Sequence, residues 1–213
     1  MRLKIVQVGE PVLRKRARPL LHEEIVLPET QQLIAWMHET MRDAPGVGLA
    51  APQVGLPVQL AVIEDRPEYA KDISAERLAE RERKAVPFQV LINPRIIEQS
   101  AEQAEFFEGC LSLAGFSALV KRSRQVTVEY LDERGQPRRV EAQGWYARIL
   151  QHEIDHLHGN LYIDRMDSRS FMSIDNLMGH WKDLPIEAVR QALAAAEPET
   201  VSPEKTASPL LPE

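Results

Sequence analysis

The feature that most constrains the fold is a pair of histidines four residues apart, His152 and His156, with Glu153 directly after the first. Side chains four residues apart lie one above the other on a helix, so both imidazoles reach one metal ion only if this segment is helical. Apolar periodicity predicts a helix over Trp145–His158, and Gly159 is suited to end it. A carboxylate beside the first ligand can act as a base on water. The segment therefore predicts a helix that carries a catalytic metal site.

A third protein ligand is needed, because a tetrahedral catalytic site has three and leaves the fourth position for water. One class of metalloproteases places a third histidine six residues after the second, but this chain has Tyr162 there. Another class uses a glutamate on a later helix, and the spacing leaves that alternative open. Cys110 is the better candidate, because a glycine precedes it in a predicted turn and a thiolate is a strong ligand. The alternative for a lone cysteine is a small buried apolar residue.

Length and composition restrict the class of protein. The 213 residues suit one catalytic domain with appendages. The formal net charge of −6 argues against a nucleic-acid-binding surface, although Lys121, Arg122 and Arg124 could form a local basic patch. No apolar run approaches the roughly 20 residues that span a membrane, and the N-terminus has neither a signal nor a transit pattern. A single cysteine cannot form an internal disulfide. We expect a cytoplasmic protein with no membrane contact and no direct nucleic-acid site.

Periodicity along the chain indicates the fold class. Residues Glu29–Ala44 predict an amphipathic helix, which a glycine-rich turn follows. Strands with few helices between them, and the key helix near the end, predict an α+β domain. The predicted strands are Val58–Ile63, Phe88–Ile92, Arg95–Ile97, Gln125–Leu131 and Arg138–Ala142.

The predicted domain organisation has three parts. Residues 1–170 form the catalytic domain, with a charged surface insertion at about 66–87 that carries a short solvated helix. Residues 171–196 form a C-terminal helical segment. Residues 197–213 contain four prolines and little apolar periodicity, so we expect a disordered tail there.

Three segments together resemble the three motifs of the peptide deformylase family. Gly46–Gln53 reads GVGLAAPQ, Glu108–Ser112 reads EGCLS, and Gln151–His156 reads QHEIDH. All three are complete and occur in the order of the family, and the resemblance extends over roughly residues 1–166. The segment Trp145–Leu150 and the insertion resemble the mitochondrial-type branch, which also occurs in bacteria.

The resemblance implies a fold, an activity and a cofactor. The fold is α+β, with mixed β-sheets packed around the central helix that carries the HExxH motif. The activity is hydrolysis of the N-terminal formyl group from formylmethionine of nascent polypeptides, with release of formate. The cofactor is one Fe²⁺ per chain, for which Ni²⁺, Co²⁺ or Zn²⁺ can substitute. N-formylmethionyl peptides of nascent chains are the implied partners, and association with the ribosome is left open.

The resemblance also assigns roles to site residues. It agrees with the ligand set of one cysteine and two histidines, and it makes Glu153 the proton carrier. The side-chain amide of Gln53 and the backbone N–H of Leu111 would stabilise the oxyanion. The residues expected to pair with the substrate main chain, as an added strand would, are Gly46, Val47, Gly48 and Gly109. Candidates for an apolar methionine pocket are Val47, Trp145, Tyr146 and Ile149.

Two other functions are compatible with part of this pattern. An HExxH endopeptidase would cleave internal peptide bonds and would not depend on Cys110. A deformylase-like fold could also serve as a peptide-binding or ribosome-associated module without catalysis. The presence of Glu153, Gln53 and all three ligands argues against the module, because binding alone does not need the complete catalytic set.

Overall fold

Eight strands lie in two antiparallel sheets within residues 1–195, the part of the chain that this computed structural model describes. The larger sheet has the order β1-β2-β3-β6-β7 and the smaller has the order β4-β5-β8. Within residues 1–195, strands β1 and β4 therefore each have one edge without a partner strand. The bounds are β1 Gly48–Ala50, β2 Leu60–Asp65, β3 Val86–Gln99, β4 Gln103–Cys110, β5 Leu113–Ser123, β6 Gln125–Leu131, β7 Pro137–Gln143 and β8 Met172–Ser173.

Six α-helical segments accompany the sheets in residues 1–195. The longest one begins at Pro28, whose missing N–H costs nothing in a first turn, and has Glu29 there and Arg42 in its last turn. Helix and sheets together confirm the α+β class. The helical bounds are α1 His22–Ile25, α2 Pro28–Asp43, α3 Ala75–Glu80, α4 Gly144–Leu157, α5 Ile174–Asn176 and α6 Ile186–Ala195.

Helix α4 packs against the larger sheet and is buried on almost every side. Its apolar residues Ile149, Leu150 and Ile154 belong to one core cluster with residues of the sheet. Polar residues on the same helix are also buried, so each needs a bonding partner inside the protein. Those partners come mainly from the smaller sheet, and the metal-ligand motif thus lies between the two sheets. The sheet residues of the cluster include Ala50, Ile63, Leu91, Val126 and Val128.

The two strands predicted over Phe88–Ile92 and Arg95–Ile97 form one long strand, β3, with an irregular register between Ile92 and Arg95. Asn93 lies at this irregularity with a positive φ of 51°. Its side chain accepts a hydrogen bond from the Leu20 N–H and donates one to the Leu20 carbonyl, which holds the strained position. The side-chain bonds therefore explain why one strand continues through the break.

The turn predicted around Cys110 includes residues that the structure places in a strand. Residues up to Cys110 belong to strand β4, which forms a hairpin with β5 in a register that pairs Phe106 with Val120 and Gly109 with Ser117. The register then shifts, so that Cys110 pairs with Leu113. The strand reads QAEFFEGC and buries three consecutive residues, Phe106–Glu108, so it lacks the period of two that marks a strand. The cysteine therefore lies at the end of an ordered strand.

The boundaries of the predicted parts stay predictions. The insertion contains α3, which buries none of its residues, and Arg83 makes two hydrogen bonds of 2.8 Å to the Asp65 carboxylate. The segment after residue 170 contains β8 as well as helices α5 and α6. The tail predicted over residues 197–213 lies outside the described residues. Within residues 1–195, no helix is both long and apolar enough to cross a membrane.

Candidate active site

Three donor atoms meet where the end of β4 contacts α4. The Cys110 Sγ lies 3.3 Å from the His156 Nε2, which lies 3.2 Å from the His152 Nε2. All three atoms lie within 4.8 Å of one another. Such separations suit donors that share one ion with bonds of roughly 2.0–2.3 Å, and both thiolate and imidazole bind divalent transition metals. The residues present therefore fit a divalent transition metal.

The second ring nitrogen of His152 is held by a buried carboxylate. The Nδ1 lies 2.9 Å from Glu108 Oε2 and donates to it, which leaves Nε2 free to bind a metal. Arg122 donates two bonds of 2.8 and 2.9 Å to the same carboxylate, and Arg148 donates one of 2.6 Å. Burial alone would raise the pKa of Glu108, but the charge and hydrogen bonds of Arg122 hold it well below its usual value. Glu108 is therefore a permanent anion behind the ligand.

Asp155 joins this charge network on its outer side. Its carboxylate accepts from Arg122 and makes two bonds, of 2.7 and 2.8 Å, with Arg165. Asp155 therefore forms ion pairs with two arginines. Hydrogen bonds link Asp155 to His152 through Arg122 and Glu108.

Glu153 has the opposite surroundings. The carboxylate is buried, and its Oε2 has no hydrogen-bond partner among residues 1–195. Burial raises the pKa of Glu153 to about 7, although the charges of His152 and Arg122 oppose the rise. A Cβ placed on Gly48 would lie 2.1 Å from the Glu153 Oε1, so only glycine leaves room for this side chain. The arrangement leaves Glu153 able to gain or lose a proton near neutral pH.

The side chain of Gln53 is fixed with its amino group toward the ligands. Its Oε1 accepts from the Ala50 N–H at 2.8 Å. Its Nε2 lies 3.4 Å from the Cys110 Sγ and 3.3 Å from the Ser112 Oγ. A fixed amide donor beside a metal centre suits a developing oxyanion.

An open cavity of about 630 Å³ leads from the surface to these groups. The free edges of β1 and β4 both border it, through Gly48 and Gly109. Tyr146 does not line it, because its hydroxyl donates to the Gln89 Oε1 at 2.8 Å and its ring packs in the core. His156 lies buried behind the wall. The predicted residues that the cavity brings together are Gly46, Val47, Gly48, Gln53, Gly109, Cys110, Leu111, Trp145, Ile149, His152 and Glu153.

Comparison with known sequences decides the family. The sequence model of the polypeptide deformylase family matches residues 2–171, which is most of the chain. The chain belongs to the peptide deformylase family.

Relatives within this deformylase family include organellar proteins. Peptide deformylase 1A, chloroplastic/mitochondrial, of Arabidopsis thaliana is 46% identical over 183 residues, or 86% of this chain and 66% of that protein. The mitochondrial peptide deformylase of Homo sapiens is 39% identical over 170 residues, or 80% of this chain and 70% of the human protein. The chain spans about two thirds of the length of its plant relatives. These matches agree with the predicted likeness to the mitochondrial-type branch.

A solved deformylase structure shares the fold. The Met-Ala-Ser-bound class I type b peptide deformylase from Acinetobacter baumannii matches with a TM-score of 0.70 and 34% identity. The match covers 78% of this chain and 99% of that one.

Sequence reasoning missed the residues that support the ligands of this deformylase-family site. Glu108 and Gln151 were part of the quoted motifs, but no role followed from them. Gln151 accepts from the Ser123 N–H at 3.1 Å and donates to the Ser123 carbonyl at 2.8 Å, which ties α4 to β5. Arg122 was predicted as part of a possible basic patch, but it is buried and paired with Glu108 and Asp155. Arg148 gave no signal, because an arginine on a helix resembles a surface charge.

Proposed function

We propose that this chain removes the N-terminal formyl group from formylmethionine of nascent polypeptides by metal-dependent hydrolysis and releases formate. The observation that carries the proposal is the meeting of Cys110, His152 and His156 at the base of a cavity beside a buried carboxylate, Glu153. Family membership supports the same activity. A cavity of this size suits a short peptide terminus.

The ligands in this proposal are Cys110, His152 and His156. A divalent ion bound there would supply Lewis-acid chemistry and lower the pKa of a water molecule. Cysteine and histidine do not choose strongly between Fe²⁺, Co²⁺, Ni²⁺ and Zn²⁺. We assign Fe²⁺ on the family resemblance, with the other three as substitutes.

The protein groups then divide the remaining work. Water adds to the formyl carbon, and the C–N bond breaks to give formate and a free amine. Glu153 accepts the proton from water and delivers it to the leaving nitrogen, for which a pKa of about 7 is well suited. The Gln53 amide and the Leu111 backbone N–H donate to the oxygen that gains negative charge.

Substrate binding uses the open edges of β1 and β4. The cavity lies between the two edges, and within residues 1–195 neither edge has a partner strand there. An extended peptide therefore pairs with both edges. The residues that pair with it are Gly46, Val47, Gly48 and Gly109. The methionine side chain lies against apolar residues of the cavity wall. Those residues are Val47, Trp145 and Ile149.

The decisive experiment measures formate release from formyl-Met-Ala-Ser before and after chelation, and again after Fe²⁺ or Ni²⁺ is restored. We expect release that chelation abolishes and metal restores. N-acetyl-Met-Ala-Ser and a longer peptide with a blocked N-terminus are the matched controls, and neither should be cleaved. Cleavage of internal bonds instead would favour the endopeptidase, and no cleavage by protein loaded with any of the four metals would contradict the proposal.

Metal identity needs a separate test. An Fe²⁺–thiolate centre is open to oxidation at both the iron and Cys110, so anaerobic preparation should give the more active protein. Peroxide should inactivate that protein and spare a Ni²⁺-loaded sample at equal occupancy. Zinc as the only metal in anaerobic protein, with a rate that peroxide leaves unchanged, would contradict iron but not the hydrolase. Association with the ribosome and a cytoplasmic location stay predictions of the sequence.

A further inference from the structure

The residues that follow the end of the family match lie beside the cavity of the candidate active site. The match ends at Phe171, and strand β8, which follows directly, pairs with β5 so that Ser173 lies opposite Phe116. Residues Met172, Leu177 and Trp181 pack against the buried Phe107, Leu119 and Val189. One apolar face of this segment therefore anchors it to the smaller sheet.

The other apolar side chains of this region face outward. Phe116, Phe171 and Ile174 are 42%, 40% and 41% exposed. The two phenylalanine rings stack with centroids 5.0 Å apart and an interplanar angle of 8°. We call these three residues the apolar shelf. Since exposed apolar groups that cluster on a surface commonly mark a binding site, the shelf is a candidate binding surface.

Position identifies the occupant. Phe116 and Ile174 line the same cavity as the metal ligands. Gly109, on the edge proposed to pair with the peptide, lies opposite Ser117, the residue after Phe116, and a Cβ on Gly109 would be 3.6 Å from the Phe116 carbonyl oxygen. The shelf is thus continuous with the proposed peptide edge.

Strand geometry gives the part of the peptide that reaches the shelf. An extended chain advances about 3.3 Å per residue and points successive side chains to opposite faces. A peptide held at the metal by its first residue therefore presents the next residues at the mouth of the cavity, where the shelf lies. The shelf contains no charged group, so it suits an apolar side chain.

We propose that the apolar shelf binds an apolar side chain at the second or third residue of the formylated peptide and so gives the enzyme a sequence preference beyond methionine. This inference rests on the proposed deformylase function. Phe171 lies at the end of the family match and Ile174 lies beyond it, so part of the shelf comes from the C-terminal segment.

The test compares kcat/KM for three peptides: formyl-Met-Ala-Ser, formyl-Met-Leu-Ser and formyl-Met-Ala-Leu. We expect one leucine peptide to exceed formyl-Met-Ala-Ser by about 3- to 10-fold, since a half-open apolar contact lies at the low end of what such pockets discriminate. Ile174→Ser and Phe116→Ser, at the two shelf residues that line the cavity, should each bring that ratio close to one. Ile97→Ser is the matched control, because Ile97 is 39% exposed on β3 and does not line the cavity.

The outcomes separate the two proposals. Equal kcat/KM for all three peptides, or a leucine preference that survives in both folded serine variants, overturns the role of the shelf alone. A shelf that contacts a second copy of the chain or another protein would give that same result. No formate release from any peptide overturns the proposed function and the shelf with it. Thermal unfolding of each variant verifies that it folds.

Discussion

Two buried carboxylates beside His152 have opposite surroundings. Glu108 accepts from His152 and from two arginines, Arg122 and Arg148, and its pKa is held well below the usual value. Glu153 has an oxygen without a partner, and burial raises its pKa to about 7. Both side chains are almost inaccessible to solvent. Burial therefore does not decide the protonation state by itself; the donors around each carboxylate do.

The two carboxylates differ in protonation behaviour: Glu108 keeps its negative charge, and Glu153 can gain or lose a proton. A carboxylate with three strong donors stays ionised and orients the group it contacts. A buried carboxylate with few donors is destabilised in its charged form, so it exchanges a proton near neutral pH. Pairs of titratable groups with pKa values driven apart are typical of acid–base sites. This difference supports the proposal that Glu153 is the catalytic residue and that Glu108 is a positioning residue.

The largest loss of activity should follow removal of the Glu153 carboxylate. Glu153→Ala should lower kcat by roughly 10²–10⁴ and keep the metal, because Glu153 is not a ligand. Formate release and elemental analysis measure the two quantities on the same sample. Glu141→Ala, which removes an exposed carboxylate on β7, is the control and should change neither. Substantial activity in metal-loaded Glu153→Ala would remove Glu153 from the mechanism.

A smaller loss should follow displacement of the same carboxylate. Gly48→Ala places a Cβ 2.1 Å from the Glu153 Oε1, so the side chain or strand β1 must shift. Displacement of about 1 Å can cost up to roughly 10² in rate, and we expect a loss of 10- to 100-fold in kcat/KM with metal retained. Gly179→Ala is the matched control, because a Cβ there meets nothing within 4 Å. Wild-type kcat/KM in Gly48→Ala would show that Glu153 does not depend on its present position.

Removal of the Glu108 charge should lower the metal affinity more than it lowers kcat. Glu108→Gln keeps an acceptor for His152 but leaves Arg122 and Arg148 without their anion, and metal affinity should fall about 10- to 100-fold. Competition with a chelator measures it, while kcat at metal saturation should change much less. Glu105→Gln on the same strand, where the carboxylate pairs with Arg190, is the control. A drop in kcat as large as that of Glu153→Ala, with metal affinity intact, would contradict the assigned roles.

The sequence predicted the role of Glu153 but not that of Glu108. The spacing of His152, Glu153 and His156 requires a helix, and helix α4 confirms it. The partners of Glu108 come from β5 and α4, in a strand pairing that a local period does not reveal. Whether an arginine is exposed or buried depends on that pairing, so the sequence alone could not show which carboxylate would stay charged. The glycine at position 48 was predicted to allow close approach, but of the substrate main chain and not of Glu153.

The smallest effect should come from the outer end of the network. Arg122 and Arg165 both contact the Asp155 carboxylate, but the Arg165 side chain is 49% exposed and that of Arg122 is buried. An exposed pair is screened by water, so Arg165→Met should lower the free energy of unfolding by at most about 1 kcal/mol. Arg122→Met leaves buried carboxylates without a partner and should cost roughly 3–5 kcal/mol.

Urea unfolding of the metal-loaded proteins at low and high salt measures both costs. High salt should shrink the effect of Arg165→Met, because the pair borders on solvent, and leave that of Arg122→Met nearly unchanged. Formate release should stay near the wild-type rate in Arg165→Met, since the hydrogen bonds connect Arg165 to His152 through three intervening groups. An equal loss of stability in both variants would mean that solvent exposure does not divide this network, and that Asp155 belongs with Glu108 as part of the fixed charge behind His152.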